Sequence, residues 1–163
     1  PRERWEKILA TVTYALQAVW EARNWSGIRV RVQANEQSWE DRYLVAVATN
    51  ICSYAGGLLE LSPEARVDDG LLDFWLIGGS SLSAAVVRVA QVLTGRHTDA
   101  EGVVHFQAGE AVFELMGDTP MHLDGEPGTI HPPAHLQVRK RVLRVLVPHE
   151  TRPFLFSDQE TTA

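Results

Sequence analysis

Apolar positions change their period along the chain, and the changes mark out its elements. From Trp5 to Trp20, the residues Trp5, Ile8, Leu9, Val12, Leu16, Val19 and Trp20 recur at helical spacing, which gives one helix an apolar face. That face must pack on something. After Asn24 the period drops to two: Ile28, Val30 and Val32 alternate with Arg29 and Arg31, Asn35-Glu36 supply a turn, and Tyr43-Leu44-Val45-Ala46-Val47-Ala48 follow as a buried run. This pattern predicts a pair of strands. Leu71 to Ile77 is another nearly continuous apolar run, too short for a helix and bulky enough for an interior strand.

Gly78-Gly79-Ser80-Ser81 leads into Leu82 to Leu93, an apolar, alanine-containing segment with Gly95 just past its end. Serines before and glycine after predict a second, capped helix. Further strands are predicted at Val103-Val104-His105-Phe106, Ala111-Val112-Phe113-Glu114-Leu115, His135-Leu136-Gln137-Val138 and Val142-Leu143-Arg144-Val145-Leu146-Val147, divided by Gly, Pro and Asp. Short strands at turn-rich spacing argue for a mainly β fold, an antiparallel β-sandwich or barrel-like domain with two main helices. From His149 to Ala163 the chain turns polar, except for Pro153-Phe154-Leu155-Phe156. Those apolar residues would want a surface to cover.

Composition narrows the possible functions. The chain has 163 residues, 45% of them hydrophobic, which suits one domain with a substantial core. A formal net charge of -6 and the lack of a basic run argue against nucleic acid as a partner. The single cysteine, Cys52, can neither staple the fold nor build a thiolate metal site, and reads as a small core residue. No uninterrupted apolar stretch approaches the roughly 20 residues that span a bilayer. The start, Pro1-Arg2-Glu3-Arg4-Trp5-Glu6-Lys7, lacks the apolar core of a signal peptide, so the expected location is cytoplasmic. It also lacks an initiator methionine and opens inside the helical pattern, so the chain reads as a piece of a longer polypeptide.

Several clusters could carry chemistry. Gly78-Gly79-Ser80-Ser81 before a helix could cradle a phosphate, but no Lys follows at motif spacing, and an ordinary strand-to-helix turn explains it better. Of six histidines, His131 and His135 have the spacing of ligands on a helix. Pro132 and Pro133 lie between them and make that helix improbable. Two acidic turns carry more weight, Val67-Asp68-Asp69-Gly70-Leu71 and His122-Leu123-Asp124-Gly125-Glu126-Pro127, each flanked by apolar runs. Asp-Gly is first a turn signal. If Asp124 and Glu126 both lie on a strand they point to one side, where crowding would raise one carboxyl toward the range of a general base.

The ordered set Asn50, Ala55-Gly56-Gly57, Leu61-Ser62-Pro63-Glu64-Ala65-Arg66-Val67-Asp68-Asp69-Gly70-Leu71-Leu72-Asp73, Leu123-Asp124-Gly125-Glu126 and Leu143-Arg144-Val145-Leu146-Val147-Pro148 resembles bacterial diacylglycerol and lipid kinases, with sphingosine kinases as more distant relatives. Related NAD kinases typically carry Gln where this chain has Glu126, which favours the lipid branch. Two departures stand out: the family's glycine cluster usually has a third glycine where this chain has Leu58, and the spacing from Asn50 to Gly56 varies.

The resemblance implies a two-domain, ATP-dependent kinase whose N-terminal domain carries a Gly-Gly-Asp-Gly-Thr nucleotide motif, absent from this chain. Residues 1–148 would be the lipid-binding C-terminal domain, and 149–163 a tail returning to the nucleotide-binding domain. Glu126 would accept the proton of a diacylglycerol or related hydroxyl with Asp124 beside it. Asp69 with the carbonyls of Arg66 and Leu71 would hold a structural Mg²⁺, and ATP, the co-substrate, would be bound by the missing domain. The implied partners are that domain and a lipid substrate at the inner membrane surface, where the protein would be peripheral; the reading also admits a homodimer. The competing readings are a non-catalytic lipid- or protein-binding module on the same scaffold, and a kinase acting on sphingosine or a nicotinamide dinucleotide.

Overall fold

In the computed structural model, which describes residues 26–54, 59–147 and 155–157, the alternating stretch forms strand β1 (Ile28–Ala34). Val30, Val32 and Ala34 are buried while Arg29, Arg31 and Gln33 are exposed, as a strand with one wet face requires. Asn35 and Glu36 both take left-handed backbone, φ 51° and 62°, the geometry of a two-residue hairpin turn. The chain returns as β2 (Gln37–Thr49), which pairs antiparallel with β1 from Ala34 and Gln37 outward. The short strands β3 (Ser53–Tyr54) and β4 (Leu59–Glu60) pair with each other. The predicted helix over Trp5–Trp20, the cluster Ala55-Gly56-Gly57 and most of the tail lie outside the described residues.

The apolar run after Asp69-Gly70 is β5 (Leu72–Gly78), buried along almost its whole length. Phe74 and Leu76 enter the main core with Val30, Val32, Tyr43 and Phe113, whereas Trp75 and Ile77 join Leu61 on the opposite face. Both faces are covered, which is why the sequence shows no alternation there. Helix α1 (Leu82–Leu93) follows, with Ser81 as N-cap accepting from the Ala84 amide at 3.2 Å. The glycine-serine stretch is therefore a strand-to-helix turn, and at Gly78 an added Cβ would lie 2.5 Å from the Gly102 carbonyl oxygen.

Then come β6 (Val103–Ala108), β7 (Glu110–Leu115), β8 (Thr119–Leu123), β9 (Glu126–Ile130) and β10 (Ala134–Gln137). Six strands make one antiparallel sheet in the order β10-β7-β1-β2-β5-β6. Only Gly109 separates β6 from β7, yet they lie toward opposite ends of that order. The sheet must therefore curl until its ends meet at a corner. Phe74 of β5 accordingly reaches Phe113 of β7 across the interior, with ring centroids 6.1 Å apart. The result is the mainly β, sandwich-like fold expected; one of the two expected helices is described.

One expected strand does not form. Residues 142–147 are irregular, and Val142, Leu143, Val145 and Leu146 are exposed. Apolar periodicity is necessary for a buried strand, but a strand also needs an edge to pair with, and these residues pair with none of the described strands. Conversely, the apolar pattern does not predict β8 and β9, because Pro120, Pro127 and Gly128 interrupt it. Prolines are tolerated there because the pair forms its own two-stranded ribbon, with no further strand on either edge among the described residues.

Candidate functional site

The first acidic turn is built from within and held from a distance. Ala65 is buried, and its amide donates to the Ser62 carbonyl at 3.1 Å. Asp69 Oδ1 accepts from the Leu71 amide at 2.8 Å, an Asx turn that reverses the chain into β5. Gly70 stands at φ 81° with Lys140 packed against it. Between Ala65 and Asp69, three successive residues bond to three successive residues of the tail. Arg66 Nη1 donates to the Phe156 carbonyl at 2.9 Å, the Val67 amide to the Leu155 carbonyl at 3.1 Å, and Asp68 Oδ1 accepts from the Ser157 amide at 2.7 Å. Burial opposes ionisation of Asp68, but the Ser157 hydrogen bonds and the Arg141 charge outweigh it and hold the carboxyl below its ordinary value.

The expected metal ligands thus occupy one loop. Asp69 keeps its Oδ2 without a protein partner among the described residues. A carboxylate oxygen with the Arg66 and Leu71 carbonyls would form an all-oxygen donor set, which fits a hard cation that retains water, such as Mg²⁺. Among the described residues no group of His, Cys, Asp and Glu side chains could hold a metal by itself. His131 Nδ1 instead bonds Asp118 Oδ1 at 2.9 Å, with a cis Pro132-Pro133 peptide following.

The second acidic turn departs from the expected geometry. Asp124 is not a strand residue: it and Gly125 are the two turn residues, φ 50° and 92°, and only Glu126 lies on a strand, opposite Leu123. The two carboxylates therefore do not share a strand face. Asp124, Gly125 and Glu126 are all exposed, and no side-chain hydrogen bond or ion pair ties the Asp124 or Glu126 carboxylate to another described residue. Nor does any such bond join this turn to the Arg66–Leu71 loop.

A buried polar group that the sequence reading did not single out lies on the outer face of β5. Asp73 is 2% exposed; His105 Nε2 lies 2.7 Å from its Oδ1, and Gln107 Nε2 donates to both carboxylate oxygens at 3.3 and 3.4 Å. Trp75 stacks on His105 with centroids 4.1 Å apart, and its Nε1 donates to Ser62 Oγ at 2.6 Å. The only hints in sequence were a carboxylate inside the apolar run Leu71 to Ile77 and a histidine inside Val103-Val104-His105-Phe106.

The described strands thus form a curled antiparallel sandwich with one acidic turn leading into buried strand β5 and another joining β8 to β9. The sequence matches the family described as the YegS C-terminal NAD kinase beta sandwich-like domain over residues 2–147, and the chain belongs to that family. It is 30% identical over 126 residues to a protein of Xanthomonas euvesicatoria pv. vesicatoria named "Probable lipid kinase YegS-like", covering 76% of this chain and 40% of the relative. Against a protein of Bacillus subtilis named "Diacylglycerol kinase" it is 18% identical over 143 residues, covering 88% and 46%. The crystal structure of a diacylglycerol kinase from Bacillus anthracis str. Sterne superposes with a TM-score of 0.57 at 21% identity, covering 78% of this chain and 42% of that one. The chain thus spans less than half the length of these relatives. Among the described residues no helix is long and apolar enough to cross a membrane.

Proposed function

We propose that this chain is the C-terminal, substrate-presenting domain of an ATP-dependent lipid kinase that phosphorylates the hydroxyl of diacylglycerol or a related lipid. Phosphoryl transfer asks a protein mainly for positioning, charge neutralisation and a base oriented toward the attacking hydroxyl, so the work divides naturally between two domains. ATP and its Mg²⁺ fall to a nucleotide-binding domain outside this chain. Glu126 takes the hydroxyl proton as the lipid oxygen bonds to the γ-phosphorus and ADP departs, and Asp124 orients or shares that base. A second Mg²⁺ would stabilise the loop of Asp69, Arg66 and Leu71. The protein would work in the cytoplasm, peripheral to the inner membrane surface where its lipid lies.

The observation that carries this reading is the hairpin tip. Asp124 and Glu126 stand on a ribbon whose strands, among the described residues, pair only with each other, and neither carboxylate is bonded to another described residue. The left-handed backbone of Asp124 explains the turn, and a role toward a substrate or another domain is what two exposed carboxylates at its tip are free to take. The test compares this chain, alone, with a complete enzyme that contains it. The chain alone should neither bind ATP tightly nor phosphorylate diacylglycerol, and the complete enzyme should do both. ATP-dependent turnover by the chain alone would refute the division of labour, and a complete protein without kinase activity would favour a non-catalytic binding module.

A further inference from the structure

We infer that Leu155–Ser157 is a strap that positions the Arg66–Leu71 loop, with Asp68 as its positioning residue, so that cation binding by the loop depends on the strap being seated. The inference rests on the reading of that loop as a cation site. Its physical basis is the way the loop is held. Ala65 is anchored by burial and Leu71 by the Asx turn of Asp69, and no residue of the stretch between them is fully buried. Val67, its one aliphatic residue, is 36% exposed. This half of the loop is tied to the described part of the tail by a run of hydrogen bonds, made by Arg66, Val67 and Asp68 in succession to Phe156, Leu155 and Ser157.

Two adjacent aspartates thereby divide the labour. Asp68 is spent on the strap, 89 residues away in sequence, and Asp69 on the turn. Arg66 has both roles: its guanidinium grips the strap while its carbonyl is one of the proposed cation donors. A cation site assembled partly from main-chain carbonyls needs its backbone held still, because a carbonyl has no side-chain torsions with which to recover its aim. Releasing the strap frees that backbone.

The experiment reads amide hydrogen exchange at Val67 in the complete enzyme, alongside a Mg²⁺ titration of turnover. Asp68→Ala should speed exchange at Val67 roughly tenfold and raise the Mg²⁺ concentration for half-maximal turnover by a similar factor, with turnover at saturating Mg²⁺ retained. Asp68→Asn, which keeps an acceptor for the Ser157 amide, should recover part of both effects. Unchanged exchange in Asp68→Ala overturns the strap; faster exchange with an unmoved Mg²⁺ midpoint overturns its positioning role. If Asp68→Ala does not fold, Ser157→Pro removes the same hydrogen bond from an exposed position, and the same two outcomes decide. An Asp69→Asn enzyme with unaltered Mg²⁺ dependence would instead defeat the cation reading, while the exchange arm still judges the strap by itself.

Discussion

His105 meets Asp73 diagonally across the β5–β6 pairing, its Nε2 2.7 Å from the Asp73 Oδ1 of a carboxylate that is 2% exposed. A buried carboxylate is tolerated only while its oxygens have partners. Here His105 and Gln107 supply them, and the Trp75 ring, stacked on His105, restricts where the imidazole can go.

Deleting the imidazole should therefore cost more than the packing it removes. His105→Ala is expected to destabilise the domain by about 1–3 kcal/mol, the range for leaving a buried polar group short of a partner. In Asp73→Asn the charge disappears, so the further cost of His105→Ala should shrink. Urea unfolding of the two single variants and the double variant measures that coupling. Strict additivity would show that the contact contributes nothing.

The exposed hairpin tip separates catalysis from stability. Glu126→Gln should lower turnover of the complete enzyme by about 10²- to 10⁴-fold, the usual range for a lost general base, while ATP still binds. Asp124→Asn should also be severe, but by a separable amount, since orientation and proton acceptance are different tasks. Because neither side chain is bonded to the described fold, each change should move stability by less than about 0.5 kcal/mol. A folded Glu126→Gln enzyme with near-normal turnover would refute the role assigned to Glu126.

Asp69 should behave differently from Glu126, because its Oδ1 also closes the Asx turn into β5. Asp69→Asn keeps an oxygen for the Leu71 amide but lacks the second carboxylate oxygen and its charge. The expected result is a fold that survives and a weakened dependence on Mg²⁺. Thermal unfolding with and without Mg²⁺ checks it: the ion should stabilise the native chain measurably and the Asn variant less.

Tyr43 predicts a response to alkali. It is buried in the main core, and burial, with the charge of Asp41 added, raises its phenol above the ordinary value. The folded state thus keeps a proton that the unfolded state releases. Its contribution is complete below about pH 10, the ordinary tyrosine value, and is lost as pH rises from there through the folded pKa. Urea midpoints of the native chain should fall across that interval, and those of Tyr43→Phe should fall less.

Local pattern was enough to reveal the parts of the fold that local physics controls. The alternation of Ile28, Val30 and Val32 with Arg29 and Arg31 named the buried face of β1, and Ser81 with the apolar run to Leu93 marked α1, because periodicity and capping are properties of neighbouring residues. Asp124-Gly125 was legible as a turn, since those residues accept left-handed backbone where others resist it. The candidate base and cation ligands were legible as motifs in an order along the chain.

What depends on distant partners was decided only by the tertiary structure. Residues 142–147 have the composition of a strand but pair with no described strand, whereas β8 and β9, broken by proline, pair with each other. Asp68 and Asp69 are neighbours of one type, yet one is bonded to Ser157 and the other to Leu71. Asp73 interrupts an apolar run, and only the pairing of β5 with β6 shows that His105 and Gln107 make its burial tolerable. Hydrogen bonds reach a few ångströms in space and any distance in sequence, so a residue's type and neighbours state what it needs, and the fold states who provides it.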